Sequence, residues 1–199
     1  IAERDACTVC LALSGKIVYV NTIATFLTRR AYEQVCIDVG LHHANVRLIG
    51  NGGGAVYAPL GPTHIATDDI ALMRLIPGMT IWSPSDAGEM AQLMPLSVNH
   101  PGPIYVRLGK GGDPKLPYLA DVKGGDANVL LLSTGTTSQL ACEAAAQRHV
   151  GIVFADRALH RFDVAVLQPP AARQRLEREL VAALAVHLHR HRRHQRAAG

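Results

Sequence analysis

Glu3, His64 and Arg107 are charged or titratable side chains at positions that could support chemistry. Glu3 begins an apolar helical pattern, where a buried carboxylate needs a partner or a raised pKa, although the helix dipole also favours an acid there. His64 ends the segment LGPTH and could act as a general acid or base, could donate a hydrogen bond to an oxyanion, or could simply cap a turn. Arg107 follows an apolar strand pattern, at the sheet edge where open parallel sheets bind ligands, and its planar fork suits phosphate.

Phe26, Arg29 and Tyr32 recur at a spacing of three residues, which predicts one shared helix face. Two aromatic rings beside a guanidinium would suit stacking on a flat heterocycle. A half-exposed surface face without a ligand has the same pattern, so both interpretations stay open.

The glycine run in residues 50–54 lies between a predicted strand and the LGPTH segment. It lacks the G-x-G-x-x-G arrangement of a dinucleotide-binding turn. The run therefore predicts a tight turn or a close approach of the backbone to a ligand.

Cys7 and Cys10 form a C-x-x-C pair within the apolar segment ACTVCLAL. No second ligand pair stands at a useful spacing, so we interpret them as two small buried residues of a helix, with metal or redox chemistry as the alternative. Four cysteines in all fit a reducing compartment, and we expect a cytoplasmic protein.

Strand and helix patterns alternate along most of the chain, which predicts a mostly parallel α/β sheet with helices on both faces. Ala31, Val35 and Val39 mark the buried face of one helix, and Gly40 is its predicted C-cap. Ser85-Asp86 is predicted to cap another helix. The predicted helices are 1–13, 29–40, 68–75, 87–98 and 138–147, and the predicted strands are 16–20, 45–49, 80–82, 104–108, 128–133 and 151–155.

The pattern divides the chain into a first domain over 1–109, a Gly-, Pro- and Lys-rich linker over 110–127 and a shortened second βαβ unit over 128–167. Residues 168–199 form an amphipathic helical pattern that continues into a His- and Arg-rich tail. Such a tract can bind metal, but this one is more typical of a solvated tail.

Composition excludes several function classes. A hydrophobic fraction of 48% with 18% charged residues describes a globular protein, and much of the formal charge of +4 lies in the tail. We therefore predict no nucleic-acid partner. No apolar run is long enough to span a membrane, so no membrane association is expected. A start at Ile1 with no leader pattern suggests a fragment of a longer protein.

The order of these segments resembles the pyrimidine-binding domain of transketolase-like enzymes that depend on thiamine diphosphate. The matching segments are IAER, SGKI with VNTIATFLTRRAYEQV, GPTH with TDDIALMR, PGMT with PSD, and YVRLGKG, which together cover residues 1–111. GDANVLLLSTGTTSQLACEAA and LHRFD are similar to the start of the C-terminal domain of the same family.

The resemblance implies a role for each candidate residue. Glu3 matches the glutamate that hydrogen-bonds the aminopyrimidine ring of the cofactor and favours the tautomer that activates it. Phe26 matches the aromatic residue that stacks on the pyrimidine, with Arg29 and Tyr32 in the same pocket. His64 matches a histidine that contacts substrate oxygens, and Arg107 resembles the arginine that holds a sugar phosphate.

Two departures from the family pattern bear on function. Leu60 stands where many transketolases and deoxyxylulose phosphate synthases have an aspartate that binds a donor hydroxyl. The Gly-Asp-Gly segment that holds Mg²⁺ and diphosphate does not occur, and no metal ligand is predicted on this chain. The resemblance therefore implies a diphosphate-binding subunit or domain as partner, in a dimer or heterotetramer.

The first hypothesis is thus a transketolase subunit that helps to transfer a two-carbon ketol group from a ketose, or its phosphate, to an aldose. A 1-deoxyxylulose-5-phosphate synthase-like subunit or a 2-oxo acid dehydrogenase β-like subunit is the alternative enzyme. A non-catalytic remnant of the family is the alternative from another class.

Overall fold

Four parallel strands form the main sheet of the protein in a computed structural model that describes residues 2–116, 130–148 and 151–154, with side chains over 7–116 and 133–144. The strand order is β1-β2-β4-β3. The register pairs Val18 with Val46, and Arg47 and Thr80 each with Ile104. The strands are β1 Val18–Ile23, β2 Val46–Asn51, β3 Thr80–Trp82 and β4 Ile104–Arg107.

Alternating side chains of the sheet enter two separate apolar clusters, one on each face. On one face, Val46, Leu48, Ile81 and Tyr105 pack with residues of the helices that precede β2 and β3. On the other face, Ile49, Trp82, Ile104 and Val106 pack against Leu93. The predicted α/β architecture with helices on both faces is therefore confirmed.

The first helix, α1, spans Ala2–Leu13, close to the predicted range. It buries Val9 and Ala12 against the first cluster, whereas Cys7 and Cys10 are exposed. The prediction that both cysteines are buried is wrong. At about 100° per residue, positions one after and two before Val9 turn away from the sheet.

Three helical segments in succession connect β1 to β2. They are a π-helix at Phe26–Arg30, the short α2 at Tyr32–Gln34 and a second π-helix at Val35–Leu41. The wide turns are marked by the backbone N–H of Ala31, which donates to the carbonyl of Phe26 at 3.2 Å. The predicted helix therefore starts earlier and is wider than expected.

The buried face of this helical connection is the predicted one, because Ala31, Val35 and Val39 are all buried. The prediction of Gly40 as a C-cap is wrong, since the helix continues to Leu41. A Cβ at Gly40 would lie 2.5 Å from Cγ2 of Ile76, so glycine is needed there for close packing.

Two further helices cover the sheet, α3 at Asp69–Arg74 and α4 at Ala87–Asn99. Asp86 caps α4 as predicted, because its Oδ1 accepts from the backbone N–H of Glu89 at 2.8 Å. The Glu89 carboxylate in return accepts from the backbone N–H and hydroxyl of Ser85, which completes a reciprocal cap.

Arg47 is a fully buried cation on β2. Its guanidinium donates to the carbonyls of Ser97, His100 and Gly102 at 2.8, 2.7 and 2.6 Å. These carbonyls belong to the end of α4 and the loop after it. Burial lowers the pKa of Arg47, and the three carbonyl oxygens take the place of water around its charge.

A second unit contains β5 Leu130–Ser133, α5 Ser138–Arg148 and β6 Gly151–Phe154, with β5 and β6 parallel. This is the predicted short βαβ unit. Most of the predicted linker after residue 116, and the tail over 168–199, lie outside the described residues. None of the helices in the part of the chain that the structure describes has the length and apolar character to cross a membrane.

Candidate functional site

The candidate residues gather at the carboxyl ends of the parallel strands, the edge where open α/β sheets bind ligands. Phe26 follows β1, the glycine run follows β2, and Arg107 ends β4. His64 lies in the Pro62–His64 3₁₀ turn between β2 and α3.

The turn that carries His64 is held by the helical segment after β1. The Thr25 hydroxyl donates to the carbonyl of Thr63 at 2.7 Å, and Arg29 Nη1 donates to the carbonyl of Pro62 at 3.1 Å. Gly61 starts the turn with a φ of 86°, a conformation that favours glycine. The LGPTH segment therefore has a fixed place beside Phe26.

The ring of His64 meets the ring of Phe26 edge to face, with 5.3 Å between centroids. His64 Nδ1 is 2.9 Å from the hydroxyl of Thr63, so its Nε2 is the nitrogen left for a ligand. Arg30, rather than the predicted Arg29, lies over the Phe26 ring, with its Cζ 4.1 Å from the centroid. The arginine that flanks the aromatic ring was thus misassigned by the spacing rule, because the π-helical turn shifts the register.

Arg29 is turned towards Asp68 instead. Its Nε lies 3.1 and 2.9 Å from the two carboxylate oxygens, and its Nη2 lies 2.7 Å from Oδ1. The hydrogen bond from Arg29 lowers the pKa of Asp68. Arg29 therefore links Asp68 to the Pro62 carbonyl and orders the loop next to the site.

Tyr32 packs with the first apolar cluster, and its hydroxyl donates to the carbonyl of Leu72 in α3 at 3.1 Å. Burial raises the pKa of this phenol, so it remains a donor at neutral pH. Phe26, Arg29 and Tyr32 all approach the 62–72 segment, but they do not present the single aromatic face that was predicted.

Arg107 joins a buried polar set with Asp69 and Tyr105. Arg107 Nε donates to Oδ2 of Asp69 at 2.8 Å, and the Tyr105 hydroxyl donates to the same oxygen at 3.0 Å. Asp69 is 1% exposed, whereas the Arg107 side chain is 15% exposed. The inner end of the guanidinium is therefore fixed by a buried carboxylate, and its outer end reaches the surface.

The glycine run makes room for these side chains. A Cβ at Gly53 would lie 2.6 Å from Arg107 Nε, and one at Gly52 would lie 2.1 Å from the ring of Tyr57. Gly52 and Gly54 have φ angles of 72° and 74°, which confirms the predicted tight turn. The close approach in this turn is to side chains of the protein itself.

Glu3 lies in α1, and its side chain lies outside the described side chains. Leu60 is 59% exposed in the 3₁₀ turn Ala58–Leu60, immediately before the turn that carries His64. The polar group that the family pattern places here is therefore replaced by an exposed apolar side chain.

The described residues fit a flat heterocycle, which could stack on the partly buried Phe26 ring beside His64. Among these residues, no cluster of three or more His, Cys, Asp or Glu side chains could hold a metal ion. The metal-ligand set expected of a diphosphate site is thus not found within residues 7–116 and 133–144.

Several polar contacts of this edge were missed from the sequence. Asp68 and Asp69 were assigned only to a helix start, and Tyr105 only to a strand. Asn21 and Asn51, at the carboxyl ends of β1 and β2, hydrogen-bond to each other through their side-chain amides. The acidic pair in TDDI was the available signal, since two adjacent acids at a helix start beside a ligand edge rarely serve only the helix.

Comparison with known families gives a match to a model described as transketolase, pyrimidine binding domain, over residues 1–112. The match covers more than half of the chain.

Two curated relatives represent two enzyme classes. One of the two subunits that make up an apulose-4-phosphate transketolase, from Phocaeicola vulgatus, is 41% identical over 141 residues, which is 69% of this chain and 45% of the relative. A 1-deoxy-D-xylulose-5-phosphate synthase from Anaeromyxobacter dehalogenans is 33% identical over 191 residues, which is 87% of this chain and 30% of the relative. The chain spans about half the length of the first relative.

Among solved structures, a protein described as a split gene transketolase in an inactive beta4 tetramer superimposes with a TM-score of 0.62 at 28% identity. The match covers 74% of this chain and 50% of that one.

Proposed function

Because the chain belongs to the transketolase family through its pyrimidine-binding domain, we propose that it is one subunit of a split transketolase. The complex would transfer a two-carbon ketol group from a ketose to an aldose acceptor. The observation that carries this proposal is the 41% identity to a protein that is named as a transketolase subunit. The similar structure of a split-gene transketolase supports it.

Thiamine diphosphate is the proposed cofactor, and when bound it supplies the carbon that carries the two-carbon unit. Glu3 would hydrogen-bond the aminopyrimidine ring and Phe26 would stack on it. Tyr32 and Arg29 would act at this pocket by ordering the protein around it, because both are tied to the 62–72 segment. Mg²⁺ and the diphosphate would be held mainly by the partner.

His64 and Arg107 are the proposed substrate-binding residues. His64 Nε2 faces away from the Thr63 hydroxyl that contacts Nδ1, and it could hydrogen-bond substrate oxygens near the reacting carbon. Arg107 would bind the phosphate of a sugar phosphate with the outer end of its guanidinium. Leu60 cannot accept a hydroxyl hydrogen bond, so the donor would differ from that of enzymes with an aspartate there.

The partner we propose is a diphosphate-binding transketolase subunit or domain, in a dimer or a heterotetramer. The cofactor would then lie between the two chains, and association would be a requirement for activity. We place the complex in the cytoplasm, in carbohydrate metabolism. The four cysteines of the chain are free, in keeping with a reducing compartment.

Calorimetry of thiamine diphosphate with Mg²⁺ tests the proposal, first with this chain and then with its mixture with a diphosphate-binding transketolase subunit. We expect binding in the mixture alone, followed by ketol transfer from a ketose. A mixture that assembles but neither binds the cofactor nor turns over would support a non-catalytic remnant instead.

A 1-deoxyxylulose-5-phosphate synthase activity is the second candidate, favoured by the relative that matches 87% of the chain. Product analysis separates the two enzymes. Turnover of pyruvate with release of CO₂ would support the synthase, whereas turnover of a ketose without release of CO₂ would support the transketolase.

A further inference from the structure

Arg107 is held at one end by a carboxylate that solvent does not reach. Asp69 is 1% exposed and accepts hydrogen bonds from Arg107 Nε and from the Tyr105 hydroxyl. An arginine has five N–H donors in a rigid plane. The contact with Asp69 uses the Nε donor, so the four donors on Nη1 and Nη2 remain at the outer end.

The geometry around this contact leaves little freedom for the arginine. The Gly53 backbone packs so closely that a Cβ there would lie 2.7 Å from both Cγ and Cζ of Arg107. Gly50 is likewise close to Tyr105, because a Cβ at Gly50 would lie 2.6 Å from the phenol oxygen. Backbone and carboxylate together hold Arg107 at a fixed rotamer at the ligand edge of the sheet.

Tyr105 keeps its proton under ordinary conditions. Burial and the adjacent Asp69 carboxylate raise the pKa of this phenol far above its usual value of 10.0. The hydroxyl therefore donates to Asp69 throughout the working pH range, and it keeps Oδ2 facing Arg107.

We propose that Asp69, supported by Tyr105, is a positioning residue that presents the outer guanidinium donors of Arg107 to the phosphate of the substrate. This inference rests on the proposed function, in which Arg107 binds that phosphate. A fixed guanidinium loses little conformational freedom when the ligand arrives, so the affinity for phosphate rises. Asp69 would thereby favour phosphorylated over phosphate-free sugars.

The charge of Asp69 makes the inference testable by the sign of one effect. A carboxylate near an anion site opposes phosphate through its charge, so Asp69→Asn would tighten phosphate binding if charge were its main contribution. If positioning dominates, the same variant binds phosphate more weakly, by about 10-fold, as when the support of a ligand is lost.

Titration of the full chain with inorganic phosphate, followed by ³¹P NMR, measures this effect without turnover. Asp68→Asn is the matched control, because it removes the same charge one residue away, where the carboxylate pairs with Arg29 rather than Arg107. We expect phosphate affinity in the control to stay equal to that of the unaltered chain or to rise slightly. Tyr105→Phe keeps the buried ring, loses one donor to Asp69, and should weaken phosphate binding about 2- to 3-fold.

In the reconstituted complex, the KM for a ketose phosphate should rise about 10-fold in Asp69→Asn, while kcat and the KM for the same ketose without phosphate stay within about 2-fold. Equal or tighter phosphate binding by Asp69→Asn overturns the inference, as does a chain that binds no phosphate. Where Asp69→Asn does not fold, unchanged phosphate affinity in Tyr105→Phe overturns it. A complex without turnover, together with weakened phosphate binding in the variants, rejects the proposed function and leaves this inference standing.

Discussion

Arg29 and Asp68 form a three-contact ion pair at the edge of the site, and both side chains remain more than one third exposed. The pair also fixes the turn before His64, because the same guanidinium donates to the Pro62 carbonyl. Its contribution is therefore one of local order more than of global stability, since exposed pairs are screened by water and salt.

The pKa of Asp68 should rise when Arg29 is replaced. The hydrogen bond from Arg29 holds this pKa below the usual value of 3.8, so Arg29→Ala should return it towards that value. Because the pKa is depressed by folding, the stabilisation is present above about pH 4 and is lost as the pH falls through the lower folded pKa. A ¹³C NMR titration of the Asp68 carboxyl carbon measures the shift, and identical titration curves for both proteins would contradict it.

Gly53→Ala should destabilise the fold by about 1–3 kcal/mol, the usual effect of overpacking. The added Cβ would lie 2.6 Å from Arg107 Nε, and the arginine is held by Asp69 and cannot move aside freely. Urea unfolding measures the change in free energy of unfolding.

The cause of that loss can be checked by a double-mutant cycle with Arg107→Ala. Removing the arginine side chain removes the atoms that the new Cβ would meet, so the two changes should be non-additive. An additive result would place the strain of Gly53→Ala somewhere other than Arg107.

Arg47→Met should lower the free energy of unfolding by about 3 kcal/mol. Three buried carbonyl acceptors would lose their donors, and this cost outweighs the relief from no longer burying a cation. Arg74→Met is the comparison variant, since Arg74 is an exposed arginine in α3 and should change stability by less than about 0.5 kcal/mol. Urea unfolding of both variants decides, and equal effects would refute a special role for Arg47.

Glu3→Gln should reduce cofactor-dependent turnover of the reconstituted complex by roughly 100-fold or more, in the range of lost acid–base catalysis. The amide cannot replace the carboxylate as partner of the aminopyrimidine ring. Asp5→Asn changes the same charge two residues along α1, on another side of the helix, and should leave turnover unchanged. Normal turnover in Glu3→Gln would reject the proposed role of Glu3.

Local sequence patterns predicted the elements of this fold well where the signal is local. The strand at 80–82 has the predicted bounds, and the cap by Asp86 depends on residues within three positions of it. The buried face marked by Ala31, Val35 and Val39 follows from helical spacing alone. Such features need no knowledge of distant partners.

The polar contacts at the site could not be predicted in this way. Asp69 meets Tyr105 and Arg107, which lie 36 and 38 residues further along the chain, and burial of the acid depends on how α3 docks on the sheet. The π-helical turns also changed which arginine reaches Phe26. Spacing rules assume a regular α-helix, and the wider turns altered the register by one position.

The burial of Arg47 bears on the order in which the chain can fold during its synthesis. Its last carbonyl partner, Gly102, lies 55 residues further along the chain. A ribosome adds that length in roughly 3 to 11 seconds, during which the cation has water and not protein around it. β2 can therefore reach its final environment only after β4 begins to emerge, so the nascent sheet closes late and as a unit.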